Sequence, residues 1–123
     1  MTPLGRIKNF TADTAIGKRR IVKFGASEGR VAQADGAAGL LGVSGVRGAD
    51  AGARIDVYLS DIQPVELGGA VAYGDWLTSD ANGKAIVAAP AEGVTMEVIG
   101  RAMAAAGAGA IIDADIAPQQ ITG

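Results

Sequence analysis

Asp113 and Asp115 stand two residues apart in AIIDADI (Ala110–Ile116). In an extended chain that spacing puts both carboxylates on one face. Such a pair could hold Mg²⁺ or Ca²⁺ through oxygen ligands, or divide acid and base roles between them. Alternating aspartates are also the ordinary solvent side of a strand. Lys18-Arg19-Arg20 could meet phosphate, but the segment lacks the interleaved aromatics of single-strand binders and reads as a solvated strand start. Gly107-Ala108-Gly109 does not make a dinucleotide loop, because Ile112 stands where the third glycine belongs and no helix is expected after it. Gly42-Val43-Ser44-Gly45 has the wrong spacing for a nucleophile elbow. Trp76 and Tyr73 could form a sugar-stacking platform or anchor an interface, and Trp76 could equally plug the core of one subunit.

The residue types that are missing narrow the chemistry further. The chain has no His and no Cys. A Ser-His-Asp or Cys-His system is therefore excluded, as is an ordinary zinc site. A carboxylate-based hydrolase on Asp113 and Asp115 is the one enzymatic reading left, and it lacks the convergent polar cluster that active sites show. We expect no enzyme, no cofactor, no metal and no nucleic-acid partner. No apolar run approaches the ~20 residues that span a bilayer, and MTPLGRIKNF has no signal-peptide core. The expectation is no membrane association and synthesis in a cytoplasm.

The elements that carry these residues are short. Of 123 residues, 25 are Ala and 19 are Gly, and aromatics make up 4%. Such a composition buries little apolar area per residue, which favours oligomerisation as the added source of stability. Strands are expected at Arg6–Thr11, Arg19–Phe24, Arg30–Ala34, Leu40–Val46, Ala53–Leu59 and Ile62–Leu67. Pro64 argues for an edge or a bulge in the last of these. The glycines inside LLGVSGV (Leu40–Val46) suggest a bulge or a close backbone approach. Gly68–Ala89 contains the strongest turn signal, Asn82-Gly83, between extended runs at Trp76–Thr78 and Lys84–Ala88. Met96–Ala104 reads as a strand or a short helix. Ala110–Ile116 is the final strand, with Ala117–Gly123 trailing off behind Pro118. Short strands at this spacing indicate an all-β barrel or sandwich.

Charge is uneven along the chain. Residues 1–30 carry seven basic residues against two acidic, or +5, and the remainder four against eleven, or −7. A basic leading segment on an acidic body suggests a polarised particle.

Taken in order, several segments resemble the capsid decoration, or cement, proteins of tailed bacteriophages. They are TADTAIGKRRIVKFG (Thr11–Gly25), LLGVSG (Leu40–Gly45), GADAGARIDVYLSDIQPVELGG (Gly48–Gly69), AYGDWLTSDANGKA (Ala72–Ala85) and VIGRAMAAAGAGAIIDADIAP (Val98–Pro118). The resemblance implies a small β-clip or β-tulip-like fold with an extended N-terminal arm over residues 1–10 and one β-rich domain over 11–123. It implies a structural virion protein on the outer surface of a phage head, synthesised in the bacterial cytoplasm. Such a protein forms a homotrimer at three-fold and quasi-three-fold positions and bridges major capsid protein subunits. On matching positions the docking arm comprises Thr2, Pro3, Leu4, Arg6, Ile7, Lys8 and Phe10, with Arg19, Arg20, Tyr73 and Trp76 as further interface residues. The alternative is a binding module of the same fold for a carbohydrate or other surface ligand.

Overall fold

A computed structural model describes residues 6–123. Ten strands and no helix are found among them. The first five are β1 (Ile7–Ala12), β2 (Ile21–Phe24), β3 (Arg30–Gln33), β4 (Leu40–Ser44) and β5 (Arg54–Tyr58). They close into a small barrel in the order β1-β3-β2-β4-β5. The other five are β6 (Asp61–Glu66), β7 (Trp76–Ser79), β8 (Ala85–Val87), β9 (Thr95–Ala102) and β10 (Ile111–Thr122). They form a sheet in the order β6-β10-β9-β7-β8. All pairings between these strands are antiparallel except β1 with β3. The all-β expectation holds, and Pro64 does lie on an edge strand, where its missing N–H removes no ladder bond.

Two cores hold the molecule, and β2 serves both. Ile21 packs with Leu67, Leu77, Ile99, Ile116 and others between barrel and sheet. Its neighbour Val22 points the opposite way, into the barrel with Phe10, Val31, Ile55 and Val57. A strand covered on both faces needs consecutive apolar residues, which is why RRIVKF does not alternate. At 25 cal/mol per Å², each such side chain contributes about 1.5–3 kcal/mol. Strand β4 solves a related problem with a bulge. Val22 pairs with Gly42 but Lys23 pairs with Leu40, so one extra residue is accommodated. Leu40 and Val43, three apart, consequently reach the same core. Gly42 is required here because a Cβ would run into the Tyr58 backbone of β5.

The C-terminal strand departs from expectation. β10 does not stop at Ile116 but runs on to Thr122, paired with β9 throughout. Pro118 sits where the β9–β10 register shifts, between Ile116 and Gln119, so its ring interrupts no regular ladder position. Met96–Ala104 resolves as strand. Its Gly100 has φ 154° and lies directly against β10, where a Cβ would overlap the Asp115 carbonyl oxygen.

Polar brackets tie the loops down. The Asp13 carboxylate accepts from the Ala26 N–H at 2.8 Å and pairs with the Arg30 guanidinium. These two donors hold the Asp13 carboxyl below its ordinary value of 3.8. Lys23 does the same for Asp35 at 2.8 Å.

Two outcomes test this description. Gly100→Ala should lower stability by roughly 3 kcal/mol or more, through backbone overlap as well as φ strain, and a urea midpoint reads the loss directly. Depressed carboxyl pKa values stabilise the fold above the unfolded value near 4, and that stability is lost as pH falls through the folded value. Stability of the wild type should therefore drop below about pH 4, and Asp13→Asn should lose part of that slope in pH-resolved thermal melts.

Candidate functional site

Three groups of residues came from the sequence, and the structure treats each differently. Of the arm residues, Thr2, Pro3 and Leu4 lie outside the described residues. Arg6 is already anchored: its N–H donates to Ser60 Oγ at 2.9 Å, and its carbonyl accepts from the Leu59 N–H at 2.7 Å. Ile7 and Lys8 belong to β1, paired with Tyr58 and Val57 of β5. Ile7 is 44% exposed, and the Lys8 ammonium lies 5.7 Å from the Phe10 ring centroid. Phe10, expected with the arm, instead fills the barrel core, because strand alternation turns it inward. Strand β1 meets β3 only at Thr11 and Ala12. Among the described residues, no strand covers the other edge of Ile7–Phe10.

The basic triplet divides by role. Lys18 is exposed, and Arg19 is half-buried at φ 54°. Arg20 is a structural bracket. Its Nη1 donates to the Asn82 carbonyl at 2.9 Å and its Nη2 faces Glu66 at 3.5 Å. Glu66 also takes Lys84 at 3.2 Å. The turn with Asn82-Gly83 is itself set by Asp80, whose Oδ1 accepts from the N–H groups of Asn82 and Lys84 at 2.8 and 2.9 Å. Gly83 has φ 74°, and its carbonyl accepts from the Ile21 N–H at 2.7 Å. The triplet and the hairpin, some sixty residues apart, thus lock barrel to sheet. The buried Ser44 completes the bracket, accepting from the Arg20 N–H at 2.9 Å and donating to the Gly17 carbonyl at 2.7 Å.

Tyr73, Trp76, Asp113 and Asp115 come together on the outer face of the sheet. Trp76 is half-buried, and the Arg101 guanidinium stacks 4.8 Å from its centroid. That cation occupies one face of the ring that a sugar would use. Arg101 is oriented by a 3.0 Å bond from Nε to the Gly74 carbonyl. Tyr73 is 72% exposed beside a groove of about 270 Å³ that also touches Met103 and Asp115. Asp113 and Asp115 are exposed, while Ile112, Ala114 and Ile116 between and beside them turn to the core. Among the described residues, no three carboxylates are placed to share a metal ion.

A second surface was not legible in the sequence. An open cleft of about 350 Å³ lies on the barrel, lined by Asn9, Val46, Arg47, Arg54, Asp56 and Tyr58 among others. Asn9 donates to Asp56 at 3.0 Å and Arg54 to Thr11 at 2.9 Å. RGADAG looks like a plain connector, and only the pairing of β1 with β5 brings Arg54 alongside the loop that carries Arg47. Folding also moves the charge boundary. Residues 6–59, the barrel half, carry nine basic against five acidic residues, or +4. Residues 60–123, the sheet half, carry two against eight, or −6.

Comparison with known proteins now bears on what such surfaces serve. No curated protein sequence matches the chain. Among solved structures, it is similar to the head fiber gp8.5 N base of bacteriophage phi29, with a TM-score of 0.68 and 18% identity over 91% of this chain and 93% of that one. At that identity the likeness is one of fold. A family model described as phage cement protein matches residues 4–115, nearly the whole chain. With that match, and with two exposed faces in place of a catalytic cluster, the chain belongs to the phage cement proteins.

Proposed function

We propose that the protein is a non-enzymatic cement protein that binds the outside of a phage head and stabilises it by bridging major capsid protein subunits. It acts as a homotrimer at three-fold and quasi-three-fold positions. The first ten residues dock on the capsid, and the rest of the chain forms the decorating body. The observation that carries this reading is the state of β1. Its first half is a strand with one edge paired and the other uncovered, flanked by exposed Arg6 and Lys8.

An uncovered strand edge can accept an extended partner segment through main-chain hydrogen bonds, without needing a large apolar patch. Positive charge beside it steers the approach to an acidic surface. Three such edges on one trimer make the second and third contacts intramolecular, so avidity can exceed single-site affinity by ~10²–10⁴. Thr2, Pro3 and Leu4 precede this edge and extend the contact. Arg20 and Trp76 contribute indirectly, by fixing the barrel–sheet junction and the sheet face, while Arg19 and Tyr73 remain accessible.

The test is cosedimentation with empty expanded heads. Removing Met1–Gly5 leaves β1 whole, whereas a deletion through Lys8 would cut into the barrel. The shorter deletion should keep the circular dichroism spectrum and weaken head binding at least tenfold, to about the level lost with a trimer's avidity. Undiminished binding would contradict the arm's role, and a wild type that never pellets with heads would contradict the cement reading itself.

A further inference from the structure

We infer that copies of this chain associate head to tail, the barrel cleft of one copy receiving the acidic outer sheet face of the next. This deepens the trimer reading above and rests on it. The cleft side carries Arg47 and Arg54, with Lys18 nearby on the same half of the molecule, all three exposed. Among the described residues, none of the three is in an ion pair, in contrast to Arg20, Lys23, Arg30 and Lys84. The sheet face carries Asp113 and Asp115, also exposed and outside every ion pair among the described residues.

Apolar surface accompanies the charge on both sides. Strand register places Ile62 beside Asp115 and Ile111 beside Glu66, and the Met103 N–H bonds the Asp113 carbonyl. Ile62, Ile111 and Met103 are 49%, 53% and 38% exposed. On the barrel, Val46 is 63% exposed next to Arg47. Apolar side chains grouped around charges on an open face are the usual make-up of a contact surface rather than of plain solvent-facing sheet.

The occupant follows from the signs. With +4 on the barrel half and −6 on the sheet half, a two-fold contact of either face with itself would oppose like charges. A contact between unlike faces pairs opposite charges, and it is heterologous by construction. Heterologous contacts close into rings, of which a three-fold ring is the smallest that a decoration site of that symmetry accepts. The complementary surface is present on every copy, so no further partner is needed. The uncovered edge of β1 stays free for the capsid.

Charge reversal with light scattering tests the pairing. The variants are Asp113→Lys with Asp115→Lys, Arg47→Glu with Arg54→Glu, Arg47→Glu alone, and all four changes together. Because Arg54 bonds Thr11, Arg47→Glu alone guards against a folding defect, and circular dichroism checks every variant. Wild type should be trimeric at low salt and dissociate as salt rises. Each one-sided variant should associate at least tenfold more weakly, and the fourfold variant should regain the trimer. A one-sided variant that stays trimeric, or a fourfold variant that stays monomeric, overturns the pairing and leaves the trimer reading standing. A wild type that is monomeric at low salt, and that also binds heads as single copies, removes the trimer reading together with the pairing.

Discussion

The junction between barrel and sheet is the constraint on which the rest depends. At its centre, Ile21 faces the shared core while its N–H bonds the Gly83 carbonyl and its own carbonyl accepts from Ala34. Arg20, one residue earlier, spans from Ser44 to Asn82 and Glu66. A chain with few aromatics cannot stabilise two separate small cores by area alone. Sharing β2 between them makes the barrel and the sheet one cooperative body. A buried charge-assisted bracket at such a place is costly to break, because each lost partner leaves another polar group dry.

This arrangement leaves distinct surfaces for binding. The barrel presents an uncovered β1 edge and a basic cleft, and the sheet presents an acidic, partly apolar face. A cement protein performs no bond chemistry, so its function depends on where such faces lie relative to one another. Stiff packing around Gly42 and Gly100, where backbones approach too closely for a side chain, keeps them at fixed separation. The likeness to a phage head fiber base at 18% identity shows that this architecture tolerates extensive exchange of side chains.

Much of the fold was legible because it is written locally. Alternation in ARIDVYL, the Asn82-Gly83 turn and the edge position of Pro64 each follow from two to six neighbouring residues. The run in RRIVKF was legible as a strand but not as one buried on both faces, since that depends on a sheet built forty residues later. Pro118 misled for a physical reason. It ends a strand in general, yet a register shift removes the ladder position it would have spoiled. The surfaces were less legible still. Lys18-Arg19-Arg20 looks like one basic patch, but Arg20 is spent on Glu66 and Asn82. The Arg47–Arg54 cleft depends on β-pairing between segments far apart in sequence. Asp113 and Asp115 were correctly placed on a solvent-facing side, and what lies beside them, Ile62, Met103 and Arg101, comes from three other segments.

The most direct measurement is a cryo-electron microscopy reconstruction of heads decorated with this protein. The account predicts density for three copies around three-fold and quasi-three-fold positions, with the start of β1 against the capsid subunits. Single copies away from those positions, or contact made through the sheet with β1 pointing outward, would contradict it.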